Sequence, residues 1–419
     1  MKKILFVSPT STFDNGAEKS IFYLMELMIA RGYKVFNVCQ KLPDAMLEKH
    51  IDVYKEAGIT NIYLPAVKWW WEDAPGEINA TKEQLATSYR QNIEDISEIL
   101  TKYEIDLVIS NTVNVFQGAV AAALNQIPHY WLIHEFPEKE FAYYLDKCDF
   151  ISDYSTEIFS VAGNLNQSLQ HLFPNRQVRN FIPYTKILDF QIPKGEKKRI
   201  VCVGRLTERK NQLELIKAFE LLKKQGYSDL ELVFIGSWDG DYKDKCDAYI
   251  KKQGLESVSF LGQKDNPWEE LTDKDICVFT SSQETFGMVY VEAVLKGLPV
   301  IISDNLGHKT AFDLIQVGKM YELGNMEQLV SFIKESLEDF DNEFIQAQED
   351  KKKVATAYTI EQVYKEIIDQ IEQMTDVVQP NSIRHLESIV STNPKTTKLE
   401  RAALKLSNAL YRLRRKIEG

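Results

Sequence analysis

Glu284 and Glu292 stand eight positions apart in the run Gln283-Glu284-Thr285-Phe286-Gly287-Met288-Val289-Tyr290-Val291-Glu292-Ala293, two carboxylates where a strand should hand over to a helix. The apolar run from Asp275 to Phe279 predicts the strand. Met288 to Lys296 predicts the helix, with Gly297 and then Pro299 as its stop signal. Glu284 then lies on the connecting loop and Glu292 about one turn inside the helix. Were both helical they would sit roughly 80° apart around the axis, so they flank one ligand only if the loop folds Glu284 back over the helix start. The first N–H groups of that helix, on Gly287, Met288 and Val289, suit a phosphate, and carboxylates on either side accept hydrogen bonds from hydroxyls. A plainer reading is that acidic residues sit near a helix N-terminus because negative charge is mildly stabilising there.

A second phosphate-facing feature lies upstream in Ile200-Val201-Cys202-Val203-Gly204-Arg205-Leu206-Thr207-Glu208-Arg209-Lys210-Asn211. An apolar strand ends in Gly204, and Arg205 and Lys210 follow at a spacing of five, opening an amphipathic helix from Gln212 to Lys224. A guanidinium and an ammonium so placed clamp a diphosphate; an ordinary solvated pair of charges is the bland alternative. Phosphate flanked by hydroxyl-binding carboxylates makes a nucleotide sugar the expected ligand.

Gly204-Arg205 followed by Lys210, then two glutamates with seven residues between them, Phe286-Gly287 included, resembles glycosyltransferase family 4, retaining enzymes of the GT-B fold. The likeness runs through most of residues 1–376. It implies an α/β protein of two Rossmann-like domains facing across a cleft, with no cofactor and a nucleoside-diphosphate sugar as donor substrate. By the same resemblance His134, just after the predicted strand His129 to Ile133, matches a histidine that contacts the donor sugar, and Glu135 beside it is an acceptor-side candidate. A structural histidine and an exposed helix-start carboxylate are the alternatives. Gly16 occupies the first loop-to-helix junction, where a missing Cβ lets backbone approach a phosphate or acceptor. The family usually has paired glycines there, and Asn15 stands in place of the first. Asn180 reads as hinge structure before the second domain. Asp239-Gly240-Asp241 imitates a metal-binding Asp-x-Asp, but its setting beside Ser237 and Gly236 is ordinary turn chemistry, so no metal is expected. After Pro299-Val300 many members continue with a Gly-Gly segment and a Glu; this chain has Asp304-Asn305-Leu306-Gly307-His308-Lys309-Thr310, which leaves base preference open.

The elements that must position these residues alternate. Strands are expected at Ile4 to Ser8, Lys34 to Cys39, Asn61 to Leu64, Leu107 to Ser110, His129 to Ile133 and Asp149 to Ile151. Helices are expected at Ala17 to Arg31, Thr81 to Tyr103, Val113 to Leu124 and Ser155 to Ala162. A second series begins after the polar stretch Lys194 to Lys198, with strands at Arg199 to Val203, Glu231 to Gly236, Val258 to Gly262, Ile276 to Phe279 and Val300 to Ser303. The expected division is 1–183 acceptor side, 184–358 nucleotide-sugar side, 359–376 a helix crossing back, 377–394 a linker and 395–419 a basic amphipathic helix.

Composition agrees. A chain of 419 residues with 44% hydrophobic content suits two or three full-sized domains. Five cysteines, odd in number and scattered through apolar runs, show no disulfide or zinc spacing, which fits a reducing cytoplasm. The opening Met1-Lys2-Lys3 leads into an apolar run too brief for a signal peptide, and no apolar stretch of about 18 residues occurs. From 395 to 417, Leu399, Ala402, Ala403, Leu406, Leu410, Leu413 and Ile417 recur at helical spacing, with eight basic residues against the single acid Glu400, on a chain of net charge −11. Such a tail reads as a contact for an anionic membrane surface on the inner face of the cell membrane, or as an oligomer contact or intramolecular packing. Trp69-Trp70-Trp71 reads either as a second interfacial or acceptor patch or as core.

The expected activity is retaining transfer of a hexose-type sugar to a glycan or lipid-linked acceptor in bacterial polysaccharide or glycoconjugate assembly, with no nucleic acid as partner. Two other readings stand beside it, a nonenzymatic sugar-binding or scaffold subunit and a glycan-phosphorylase-like enzyme. Retention of the cation pair argues against the first, and no cofactor lysine site can be placed for the second.

Overall fold

The computed structural model describes residues 2–12, 15–43, 51–76, 78, 80–187 and 191–374. Thirteen strands among the described residues form two parallel sheets. β1 (Lys3–Val7), β2 (Lys34–Gln40), β3 (Thr60–Leu64), β4 (Leu107–Asn111), β5 (His129–Ile133), β6 (Glu157–Val161) and β7 (Val178–Phe181) are arranged in the order β3-β2-β1-β4-β5-β6-β7. β8 (Arg199–Val203), β9 (Glu231–Ile235), β10 (Val258–Phe260), β11 (Asp275–Phe279), β12 (Val300–Ser303) and β13 (Lys319–Tyr321) are arranged as β10-β9-β8-β11-β12-β13. Every residue of β4, β5 and β11 is buried, as a strand covered by helices on both faces must be, and this is why their sequences are mostly apolar, with polar residues only towards one end.

In each sheet the strand order reverses beside its first strand, between β1 and β4 and between β8 and β11. At such a point the loops leaving the two central strands turn to opposite sides, and a crevice opens beyond their carboxyl ends. Gly16 follows β1 and Asn111 ends β4; Gly204 follows β8 and Glu284 follows β11.

Two adjacent elements differ from the sequence reading. Asp149 to Ile151 is not a strand but part of the helix Cys148–Asp153, and Ser155 to Ala162 is not a helix but contains β6. A three-residue apolar run carries no periodicity that separates strand from helix. Phe150 stacks on Tyr154 at 4.3 Å and meets Trp71 edge-on at 5.1 Å, contacts that reward a helix. The β-branched and aromatic run Glu157-Ile158-Phe159-Ser160-Val161 finds β5 and β7 on either side. The helix expected from Val113 begins only at Gln117. Helix Asn164–Leu172 and strands β7 and β13 escaped the reading altogether.

The tryptophan cluster is mostly core. Trp69 donates through Nε1 to the Ser8 carbonyl and Trp71 to the Val113 carbonyl, both at 2.9 Å, so each buried indole satisfies its one donor. Trp71 also stacks on Phe116 at 4.0 Å.

After the second sheet the chain returns to the first. Thr359 caps the short helix Ile360–Val363, Tyr364 interrupts it, and Lys365–Gln373 follows. Tyr364 donates to the Ser20 carbonyl at 2.6 Å, Asn180 Nδ2 donates to Glu366 at 2.8 Å, and Arg31 pairs with Glu372 at 2.6 Å. Residues 377–394 and 395–419, read as linker and basic helix, lie outside the described residues. No helix among the described residues is long and apolar enough to cross a membrane.

Replacing Trp71 by Ala removes a stacked, hydrogen-bonded ring from this core. Urea denaturation should show a loss of about 3–5 kcal/mol. A loss below about 1 kcal/mol would place the ring outside the core.

Candidate active site

The helix Met288–Lys296 begins immediately after Gly287, whose φ of 86° is left-handed and costs a side-chain-bearing residue strain. No side chain caps this helix, so its first N–H groups are left for another acceptor. Phe286 is buried beneath the turn, while Met288 and Val289 are partly exposed.

Glu284, on the loop, is buried and takes two cations. Lys210 Nζ lies 2.6 Å from its Oε1 and Arg209 Nη1 lies 3.0 Å from its Oε2. Burial by itself would raise the Glu284 pKa, but Lys210 and Arg209 outweigh it and hold the carboxyl well below the usual range. The carboxylate is therefore ionised at any ordinary pH. The two cations belong to the turn Glu208–Lys210, which Thr207 caps by accepting from Lys210 N at 3.2 Å. Ser282 N donates to the Arg209 carbonyl at 2.8 Å, so the turn after β8 and the loop after β11 are laced together through backbone as well as charge.

Arg205 stands apart. Its side chain is 63% exposed and pairs with Asp239 at 2.6 Å, away from Glu284. Asp239 lies in the loop after β9, as expected, but Asp241 lies in the first turn of the helix Gly240–Gln253. Among the described residues no group of acidic, histidine or cysteine side chains is arranged to hold a metal ion.

Glu292 does not share a partner with Glu284. Its Oε1 accepts from Thr185 Oγ1 at 2.6 Å, at the crossing between the sheets. Thr185 N in turn donates to Tyr358 Oη at 3.0 Å, and Tyr358 stacks on Tyr184 at 5.4 Å. The missing Cβ of Gly16 serves a protein contact: a Cβ there would come within 2.5 Å of Met288 Sδ, across the cleft. Asn15 accepts from Glu18 N at 3.0 Å and so caps the helix Gly16–Ala30, which accounts for Asn in place of a first glycine.

On the first domain His134 and Glu135 are both buried. Asn111 Nδ2 reaches the Ala17 carbonyl, leaving Asn111 Oδ1 to accept from His134 Nε2 at 2.9 Å. Burial pushes the His134 pKa down to about 3, so the ring is neutral with its proton on Nε2. Burial pushes Glu135 up to about 7, against backbone N–H groups of Val113 and His134 that donate to its Oε2 at 3.1 and 3.0 Å.

The sequence reading missed Arg209, Thr185 and two further contacts. Asn164 Nδ2 donates to the Leu306 carbonyl at 3.1 Å and to Thr310 Oγ1 at 3.2 Å, joining the first domain to the helix Leu306–Ile315. His308 lies on that same helix, fully buried. Arg209 was recoverable, since it adjoins Lys210; a side chain's choice between neighbouring cations carries no sequence signal.

Residues 185–353 match the family described as Glycosyl transferases group 1. Over 144 residues the chain is 33% identical to the Campylobacter jejuni N-acetylgalactosamine-N,N'-diacetylbacillosaminyl-diphospho-undecaprenol 4-alpha-N-acetylgalactosaminyltransferase, covering 34% of this chain and 38% of that one. Over 159 residues it is 28% identical to the Staphylococcus aureus capsular polysaccharide biosynthesis glycosyltransferase CapH, covering 37% and 44%. The chain thus spans less than half the length of these curated relatives. Anabaena HepE in complex with UDP and glucose superposes with a TM-score of 0.69 over 89% of this chain and 100% of that one at 18% identity, which speaks for the fold. Residues 185–353, which carry Glu284 and Glu292, are thus similar to the glycosyl transferases group 1, and the two parallel sheets have the two-domain GT-B fold.

Proposed function

We propose that this chain is a retaining glycosyltransferase that moves a hexose-type sugar from a nucleoside diphosphate to a glycan or lipid-linked acceptor in bacterial cell-surface polysaccharide or glycoconjugate assembly. The observation that carries the reading is the buried Glu284 carboxylate held by Lys210 and Arg209 beside an uncapped helix start. Two cations, free N–H groups and a carboxylate within one turn of chain make a place where an anion and a hydroxyl-bearing group bind side by side. The family match and the UDP and glucose held by HepE support the same reading, and the two curated relatives support a surface-glycan role.

In this reading the donor diphosphate lies against Gly204, Gly287, Met288 and Val289. Lys210 turns from Glu284 towards the phosphates, Arg209 shares that task, and Arg205 approaches from Asp239. These cations stabilise the charge that grows on the leaving diphosphate, the largest expected contribution in such a site. Glu284, relieved of its partners, accepts from sugar hydroxyls, with Phe286 supporting the loop. Glu292 exchanges Thr185 for the ribose hydroxyls. His134, neutral and unprotonated at Nδ1, offers an acceptor on the sugar's other side, and Glu135 faces the incoming acceptor. Attack on the face from which the diphosphate leaves retains configuration, and a leaving phosphate oxygen takes the acceptor proton, so no separate base is needed. The basic segment 395–419 would hold the chain to an anionic membrane surface where a lipid-linked acceptor resides.

Incubation with a panel of nucleotide sugars, scored by donor hydrolysis and transfer, tests the enzyme reading; absence of both binding and turnover for every donor rejects it. Lys210→Ala should lower kcat by about 10²–10³-fold in folded protein, and an unchanged rate would remove its role. Glu135 titrates near neutrality, its pKa raised to about 7. The acceptor kcat/KM should therefore rise with pH through that region as the carboxylate ionises, and Glu135→Gln should flatten the profile. The same inflection in the variant would assign it elsewhere.

A further inference from the structure

His308 is fully buried, and only one of its ring nitrogens is satisfied. Nδ1 lies 2.9 Å from the Ser303 carbonyl oxygen, which can only accept, and 2.9 Å from Asn305 Nδ2, which can only donate. Asn305 Oδ1 accepts from Gly307 N and His308 N, which fixes that amide's orientation. Nδ1 thus has a partner in either tautomer. Nε2 has none among the described residues. A buried polar atom without a partner is unfavourable, and such an exception asks what it pairs with in another state.

Its surroundings point to the donor loop. The imidazole lies directly against Gly287: a Cβ on that glycine would stand 2.5 Å from His308 Cδ2 and 3.1 Å from Nε2. A Cβ on Gly307 would stand 2.3 Å from the Glu284 carbonyl oxygen. The first turn of the helix Leu306–Ile315 is therefore pressed against both ends of the Glu284–Gly287 loop. The charged groups that face the ring from other elements are Glu284 and Lys210. Beside it in the chain, Lys309 is paired with Asp304 at 3.0 Å. Without donor, Lys210 and Arg209 neutralise Glu284, and burial keeps the imidazole uncharged, with its pKa lowered to about 4 although Glu284 opposes that shift.

Binding of a diphosphate gives Lys210 and Arg209 a second anion to serve. Glu284 loses part of its compensation while further negative charge arrives at the Gly287 helix start, and the ring stands next to both. We propose that His308 takes up a proton from solvent on Nε2 when the donor diphosphate binds, and that the imidazolium replaces Lys210 and Arg209 as the positive charge beside Glu284. No bond other than N–H forms, and the proton comes from bulk water or buffer. The inference rests on the donor-site reading above and makes His308 a positioning residue that acts through Glu284. It also gives the unpaired Nε2 its second state.

Calorimetric titration of the full chain at about pH 6 tests this, a pH that lies between the depressed value and ordinary histidine titration. UDP-, GDP- and dTDP-hexoses serve as probes, since a diphosphate diester has no phosphate proton that titrates near neutrality. In MES and in Bis-Tris, which differ in ionisation enthalpy, the binding heat should differ in the sense of proton uptake, by up to about one proton per donor. His308→Gln keeps an amide near the Nε2 position but cannot titrate, so its binding heat should not depend on buffer. Uptake that persists in His308→Gln, or buffer-independent heat in the wild type, overturns the inference while leaving the donor site standing. Failure of every probe to bind overturns both. Should the variant not fold, histidine-labelled wild-type protein supplies the second readout: one imidazole must move to the imidazolium form in the nitrogen NMR spectrum on donor addition, and no movement overturns the inference.

Discussion

A carboxylate taken out of water needs opposite charge close by, and at Glu284 that need ties the two halves of the candidate site together. Lys210 at 2.6 Å and Arg209 at 3.0 Å come from the turn after β8, while Glu284 comes from the loop after β11. These strands are hydrogen-bonded neighbours at the point where strand order reverses. The topology thus delivers the two chain segments to one place, and the ion pairs hold them there. Removing one partner of a buried pair leaves an uncompensated charge, a larger penalty than the pair's net contribution, so the arrangement favours a ligand that replaces the partner over one that merely removes it.

The cleft is closed by contacts of several kinds. Gly16 of the first domain abuts Met288 of the second, Asn164 reaches Leu306 and Thr310, and the returning helix is tied to Ser20, Arg31 and Asn180. Glu292, bound to Thr185 at the crossing, sits where these constraints meet. A residue of the candidate site is therefore also one of the contacts that fix the relation between the domains.

Much of the fold was legible because it is local. Helices Gln212–Lys224 and Met288–Lys296, and strands His129–Ile133, Arg199–Val203 and Val300–Ser303, have the bounds that periodicity and stop signals imply. The region from Cys148 to Val161 was read with helix and strand exchanged, because short apolar runs there satisfy either geometry and only packing on Trp71 and pairing with β5 decide between them. The candidate site divides the same way. A strand, a loop with Glu284 and a helix starting after Gly287 could be read from spacing; the buried His308 beneath that glycine could not, since nothing in a single histidine tells which loop will cover it.

By itself the sequence determined the alternation of elements, the helix start at Gly287 and the presence of acidic and basic groups just after two of the strands. Each of these follows from hydrophobic period, turn chemistry and residue type over a few consecutive positions. Only the tertiary structure decided which group meets which: Arg209 with Glu284, Arg205 with Asp239, Glu292 with Thr185. Those choices depend on distance and burial between segments far apart in the chain, and electrostatic attraction in a protein is set by that local geometry, not by the order of residues.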